Sequence, residues 1–330
     1  MRATVWHGKR DVRVDQVPDP VIQEPTDAVI RITSTGLCGS DLHLYEVLTP
    51  FMTPGDILGH EPMGIVEETG SEVPGLSPGD RVVVPFQIAC GSCAMCGDGL
   101  PTQCETTQVR EHGMGAQLFG YTKLYGAVPG AQAEYLRVPQ AQFGPIKVPH
   151  GPSDDRFVYL SDVLPTAWQA VRYAGVGAGS SVVVLGLGPI GTMACRVARH
   201  LGAAQVIGID HVPDRLERAR RDGFGVDRMS ALHLAIALVR RGGTISISGV
   251  YGGMTDPMPM LTLFDKQIQI RMGQANVRRW SDEILPLLTD EDVLGVDAFA
   301  THHLRLDRAP EAYELFQKKA DGVLKVLLHP

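Results

Sequence analysis

Four cysteines fall close together as Cys90, Cys93, Cys96 and Cys104, a C-x2-C-x2-C-x7-C pattern. Spacings of three let successive thiolates of a turning loop converge on one ion, and Gly91, Gly97 and Gly99 permit the bends. Four thiolates around Zn2+ make a closed tetrahedral site, which is structural because no coordination position stays open. A disulfide framework belongs to small secreted domains, and an iron–sulfur cluster would need some other sign of electron transfer. Structural zinc is the expectation for a lobe over about residues 90–104. Of the two remaining cysteines, Cys195 lies in a helical pattern and reads as a small core residue. Cys38 lies in Gly36-Leu37-Cys38-Gly39-Ser40-Asp41-Leu42-His43, and Gly59-His60-Glu61-Pro62 follows. A soft thiolate and an imidazole are both good Zn2+ ligands, although a single Cys and a single His are more often packing residues.

A different chemistry is signalled by Gly186-Leu187-Gly188-Pro189-Ile190-Gly191, a G-x-G-x-x-G run. The pattern alone is weak. Here it follows a continuous apolar run, opens a helix, and is followed by Asp210 at the end of the next expected strand. Such glycines let the backbone approach a pyrophosphate whose charge sits on the helix N-terminus. Asp210 can accept hydrogen bonds from an adenosine ribose and would repel a 2'-phosphate, so NAD is favoured over NADP. His211 and Arg215 pull the other way, and a tight turn with a capping Asp is the minor alternative.

The elements that must position these groups divide the chain of 330 residues, which is long enough for two domains. Residues 1 to about 150 hold short strands broken by Gly and Pro: Ala28 to Thr33, Gly64 to Glu68, Arg81 to Pro85 and Ala133 to Val138. That half reads as an antiparallel, barrel-like β domain. After Pro165 the texture changes. Ser181 to Leu187 has the continuous apolar character of a strand buried on both faces of a parallel sheet. A helix from Pro189 to Gly202, a strand from Val206 to Asp210 and a helix from Pro213 to about Asp222 follow. Further on come a helix from Met229 to Arg240, strands at Thr244 to Gly249 and Ile268 to Met272, and helices at Ser281 to Leu288 and Ala309 to Lys319. His302 and His303 read as surface or strand residues. With 37 acidic against 30 basic residues the formal charge is -7, which disfavours nucleic acid as a partner. No run reaches the roughly 18 apolar residues of a membrane span, and the first residues lack an apolar leader. The cytoplasm is the expected location.

Taken together, the cysteine quartet, the Cys38 and His60 motifs and the glycine loop resemble the zinc-dependent medium-chain alcohol dehydrogenases over nearly the whole chain. Gly130-Ala131-Gln132-Ala133-Glu134-Tyr135 and Leu160-Ser161-Asp162-Val163-Leu164-Pro165-Thr166 are similar to the formaldehyde dehydrogenase branch. The resemblance implies an α/β two-domain fold: a GroES-like β-barrel catalytic domain over 1–164, a Rossmann-type doubly wound parallel sheet over 165–278, and a return to the catalytic domain over 279–330. It makes Cys38, His60 and Asp162 the catalytic zinc ligands. Asp162 stands where many relatives carry Cys, and it would otherwise serve as a helix N-cap. Glu61 becomes a neighbouring or exchangeable ligand. Ser40 and His43 become a proton relay, Thr166 and Ser248-Gly249-Val250 line the nicotinamide, and a homo-oligomer (dimer or tetramer) is expected.

The implied function is hydride transfer between NAD and a small alcohol or aldehyde, with two zinc ions per chain, one catalytic and one structural. Formaldehyde, hydrated or glutathione-bound, is among the candidates. Aldehyde dismutation with tightly held NAD is a near alternative, and a non-catalytic zinc-binding scaffold or interaction protein a distant one. One departure stands out. Gly223-Phe224-Gly225-Val226-Asp227 runs straight into the next helix, so a strand–helix–strand unit of the dinucleotide fold is expected to be missing near 222–228. Its fourth strand would lie beside the first at the sheet centre. Either Ser181 to Leu187 closes onto Thr244 to Gly249, or the two stay apart around omitted residues with a break between Asp222 and Asp227; the second is favoured.

Overall fold

The computed structural model of the chain describes residues 1–221, 225–227, 231–249 and 258–330, with backbone alone for 219–221 and 225–227. The first strands follow from alternating apolar residues. β1 (Arg2–Gly8) and β2 (Asp11–Gln16) pair antiparallel. β3 (Ala28–Leu37) buries Ala28, Ile30 and Ile32 in one core and ends with Leu37 in another. The short helix α1 (Asp41–Glu46) follows, then β4 (Glu61–Thr69) and β5 (Arg81–Val83). One turn of helix, α2 (Ala94–Gly97), lies within the cysteine lobe. β6 (Tyr135–Val138), β7 (Ile146–Lys147), α3 (Asp154–Phe157) and α4 (Val163–Tyr173) come next.

Strands and helices then alternate: β8 (Ser181–Leu185), α5 (Pro189–His200), β9 (Gln205–Ile209), α6 (Pro213–Arg221), β10 (Gly225–Asp227) and α7 (Ala231–Leu238). β11 (Thr244–Ile247), α8 (Met260–Asp265) and β12 (Gln269–Met272) follow. The remaining elements are α9 (Val277–Ile284), α10 (Pro286–Thr289), β13 (His302–Arg305), α11 (Ala309–Lys318) and β14 (Val326–His329).

Two compact units result, one made of Met1–Pro165 with Asn276–Pro330 and the other of Thr166–Ala275. In the first, a seven-stranded sheet runs β13-β14-β3-β4-β5-β7, with β6 also on β3. It is antiparallel except where β13 meets β14. One face packs Ile30, Ile32, Val66, Val82 and Leu136 together. Leu37, Leu44, Tyr313, Phe316 and Leu328 form a separate core that ties α1 and α11 to the strand ends. That second core seats the loop after β3, where the Cys38 motif lies.

In the other unit, β8, β9 and β10 form a parallel sheet in the order β10-β9-β8, and β11 and β12 form a second parallel pair. Two expectations change here, and the less favoured of two alternatives drops out. A third strand does exist: Gly225–Asp227 pairs parallel with Ile207–Ile209, so the chain does not pass directly into the next helix. Among the described residues no ladder joins β8 to β11, so the closed-up sheet does not form. β8 therefore ends its sheet instead of lying inside it, and Val183 is 41% exposed where burial on both faces was expected. An apolar strand is covered on both sides only when neighbours and helices surround it. Residues 222–224 of the Asp222–Asp227 peptide, and Met229 in the expected helix, lie outside the described residues.

Candidate metal centre and cofactor loop

The end of β3, the turn before α1, the start of β4 and the residue before α4 deliver Cys38, His60, Glu61 and Asp162 to one place. Their donor atoms all lie within 4.8 Å of one another, and all four residues are buried. Asp162 Oδ2 is 3.4 Å from Cys38 Sγ and 3.5 Å from His60 Nε2. Its carboxylate thus faces the thiol and the imidazole.

Asp41 supports this set. It is fully buried, accepts the Cys38 N–H at 2.9 Å, and places Oδ1 3.1 Å from His60 Nδ1. Gln132 donates to Asp41 at 3.3 Å, and the Tyr313 hydroxyl donates to Gln132 at 3.0 Å. A chain of polar contacts therefore runs from α11 to the far nitrogen of His60 and leaves Nε2 toward Asp162. Metal-binding imidazoles are commonly fixed in this way. Phe86 and Tyr121 meet the His60 ring edge-on, at 6.4 and 6.3 Å between centroids.

Glu61 has a second partner. Lys325, fully buried on the last stretch before β14, pairs with Glu61 Oε2 and donates to the Leu37 carbonyl at 3.0 Å. Glu61 Oε1 is buried without a hydrogen-bond partner, as expected of an oxygen turned toward a cation. Gly36 leaves the room for this pair. A Cβ there would fall 2.0 Å from Glu61 Oε2 and 3.1 Å from Lys325 Nζ.

The electrostatics fit a cation. Burial pushes the Cys38 thiol up to about 11, and the charges of Asp162 and Glu61 push the same way. Burial disfavours a charged His60, yet Asp41 and Asp162 outweigh it and raise its pKa well above the ordinary value. Two or three carboxylates crowded beside a thiol and an imidazole form a site of excess negative charge. One divalent ion neutralises it directly. A thiolate, an imidazole and a carboxylate are a Zn2+ donor set that leaves one position open.

Ser40 precedes α1 but makes no capping hydrogen bond; its Oγ is 3.2 Å from His60 Nε2. His43 stands one turn further on, exposed, and its N–H donates to the Ser40 carbonyl at 3.0 Å. Ser40 Oγ thus lies beside the metal group, and His43 lies at the surface.

The cysteine quartet converges as well. All four sulfurs lie within 4.8 Å of one another, and Cys93 Sγ is 3.9 Å from Cys104 Sγ. A disulfide requires about 2.05 Å. Sulfurs about 2.3 Å from a shared zinc would stand about 3.8 Å apart in a tetrahedron. Backbone N–H groups of Cys90, Ser92 and Glu105 donate to the sulfurs of Cys104, Cys90 and Cys93 at 3.3, 3.4 and 3.4 Å. Burial opposes ionisation of Cys90, but hydrogen bonds from Thr106 and Ser92 pull its thiol down to about 5. Cys96 moves up because burial and its sulfur neighbours disfavour a further anion. Metal analysis of the native protein is expected to give two zinc equivalents per chain. Cys93→Ser should lose one and damage folding, whereas His60→Ala should lose the other, and activity, with less harm to the fold. One equivalent bound only by the quartet would end the catalytic-zinc assignment.

In the other unit, Gly188 caps α5 and Pro189 and Ile190 open it, with Pro189 in the first turn, where its missing N–H costs nothing. Gly186 has φ +92°, and a Cβ on Gly191 would fall 1.7 Å from the Gly186 carbonyl oxygen, so the turn admits only glycine there. Asp210 is buried at the end of β9. Its Oδ2 accepts the Leu187 N–H at 2.6 Å, and Oδ1 accepts those of His211 and Val212 at 2.6 and 2.8 Å. Burial alone would raise its pKa, but these N–H groups and Arg215 hold it low. Arg215 Nη1 is 3.7 Å from Asp210 and 3.6 Å from where a Cβ on Gly188 would lie. The carboxylate is thus a fixed anion that also braces the loop. Thr166 shares a small concavity with Gln169, Tyr173, Ser246 and Ser248, next to exposed Gly249. Val250 lies outside the described residues.

Reading the residues alone missed Asp41, Gln132, Tyr313 and Lys325. Lys325 carries a signal in hindsight: it interrupts the apolar run Val323-Leu324-Lys325-Val326-Leu327-Leu328.

Comparison with known proteins agrees with this geometry. Residues 24–149 match the alcohol dehydrogenase GroES-like domain. An uncharacterized zinc-type alcohol dehydrogenase-like protein of Bacillus subtilis is 37% identical over 381 positions, covering 100% of both chains. The solved structure of an alcohol dehydrogenase from Thermus sp. ATN1 superposes with TM-score 0.90 and 37% identity, covering 100% of this chain and 99% of that one. Formaldehyde dismutase of Pseudomonas putida is 32% identical over 387 positions, 96% of this chain and 95% of its own. The chain belongs to the zinc-type alcohol dehydrogenase family. It is a zinc-type oxidoreductase of the two-domain α/β kind. The Bacillus alignment spans 381 positions against the 330 residues present here, so part of the relative has no counterpart in this chain.

Proposed function

We propose that the chain interconverts a small alcohol and its aldehyde, with formaldehyde-related substrates foremost. The observation that carries this is the convergence of Cys38, His60 and Asp162 with Glu61 behind them. The edge-on rings of Phe86 and Tyr121 beside His60 support a small substrate. Cys38, His60 and Asp162 would hold the catalytic zinc, and Cys90, Cys93, Cys96 and Cys104 the structural one. When bound, Zn2+ supplies Lewis acidity at the substrate oxygen and NAD exchanges the hydride.

The chain's own groups do the rest. Asp41 keeps the His60 ring in one orientation. Ser40 Oγ takes the alcohol proton, and His43 hands it to solvent. The Gly186–Gly191 loop and the α5 N-terminus would carry the pyrophosphate, Asp210 and Arg215 would hold the adenosine ribose, and Thr166 and Gly249 would hold the nicotinamide. We assign the domains as 1–164 with 279–330 for catalysis and 165–278 for cofactor binding.

Adding formaldehyde, methanol or ethanol with NAD to metal-replete protein should produce NADH, read by its absorbance. Equal yields of acid and alcohol from aldehyde without NADH would instead mean dismutation, the activity named for the Pseudomonas putida relative. No turnover with both zinc sites filled would leave a zinc-binding scaffold.

We further propose a homo-oligomer, dimer or tetramer, in the cytoplasm. Exposed Leu261, Phe264 and Met272 support the first, and six free cysteines, five of them assigned as zinc thiolates, the second. Among the described residues no helix is long and apolar enough to cross a membrane.

A further inference from the structure

We infer that Asp155, His303 and His329 form a third metal-binding site, which takes a divalent first-row cation such as Zn2+ through one carboxylate and two imidazoles. The site shares no residue with the two zinc sets described above. In the parallel pair of β13 and β14, His303 lies opposite Leu327 and Arg305 opposite His329. Residues two apart on a strand share a face, so His303 and His329 stand diagonally on the same side of the ladder. Their rings stack, with centroids 5.7 Å apart and planes 8° from parallel.

α3 sets Asp155 against both rings. His303 Nδ1 is 3.1 Å from Oδ2, and His329 Nε2 is 2.9 Å from Oδ1. All three donor atoms lie within 4.8 Å of one another. Ligands held about 2.0–2.2 Å from a common ion are separated by about 2.8–3.6 Å, so small movements would close the set on a cation. The His329 ring also hydrogen-bonds the Leu304 backbone, which fixes its orientation as metal-binding imidazoles require.

Protonating both stacked rings would place like charges face to face. One divalent cation binds both rings in their neutral form and neutralises the carboxylate.

The side chains of Asp155, His303 and His329 are 30%, 47% and 35% exposed. Water can complete the coordination, and the ion can exchange. Two imidazoles and a carboxylate suit Zn2+, Ni2+ or Cu2+ better than Mg2+ or Ca2+. A bound ion would clamp β13 and β14 to the segment that leads from α3 to Asp162.

Zinc-replete protein, desalted and titrated with further Zn2+ in a calorimeter, is expected to take up one more equivalent, more weakly than the first two. His303→Ala, in an exposed position, should lose that equivalent while retaining the tightly held zinc and its circular dichroism. Asp155→Asn should weaken it at least tenfold. Cu2+ added to the same protein should give an electron paramagnetic resonance spectrum with splitting from two nitrogens, reduced to one in His303→Ala. Absence of a third equivalent in the parent protein, or its survival unchanged in His303→Ala and Asp155→Asn, would overturn the assignment.

Discussion

Lys325→Ala should destabilise the catalytic unit by about 3–5 kcal/mol, the usual cost of stranding one member of a buried ion pair. Both members are fully buried: Glu61 and Lys325 have no exposed side-chain area. Burial pushes the Glu61 carboxyl up, and Lys325 partly restrains that rise. For Lys325 burial works against the charge, yet Glu61 and Cys38 keep its pKa above the ordinary lysine value. Removing the ammonium leaves a buried carboxylate that must stay charged without a partner or take a proton. Lys325→Met combined with Glu61→Gln should recover much of the loss, because an uncharged pair of similar volume carries no unpaired ion. Denaturant unfolding of the zinc-replete variants measures this. A single-variant cost below about 1 kcal/mol would show that the pair contributes no more than an exposed one.

Ser40→Ala should lower turnover by about 10²- to 10⁴-fold, the range of general acid–base contributions. Its hydroxyl is 3.2 Å from His60 Nε2 and is not spent on capping α1. His43→Ala should cost less, because an exposed imidazole has water as a substitute, and added imidazole buffer should restore part of the rate. Zinc content must be unchanged in both variants, which separates loss of proton transfer from loss of metal. Full activity in Ser40→Ala would remove the relay.

Much of this architecture is legible in residue order because the chemistry is local. The quartet spans only Cys90 to Cys104, and the glycine loop, α5 and Asp210 follow one another along the chain. Strand and helix positions were readable for the same reason: alternation in β3 and the apolar stripe of α5 are short-range patterns. What escaped is long-range. Lys325 meets Glu61 across 264 positions, and Tyr313 meets Gln132 across 181. No local pattern encodes such pairings; they exist only after β14 lies beside β3. The third strand escaped for another reason. Gly225–Asp227 is three residues long, too short for periodicity to register, and only its ladder with β9 defines it.

The two zinc sets also differ in how much chain must be gathered before an ion can settle. Closing a short loop costs less entropy than joining distant segments, and contacts between remote residues form slowly. The quartet can therefore capture its metal while most of the chain is still unfolded. Cys38, His60 and Asp162 come together only once separate stretches have docked, and the Asp41 support reaches to Tyr313 on α11. With zinc limiting, the quartet is expected to fill before the Cys38, His60 and Asp162 set, leaving folded molecules that lack the second ion.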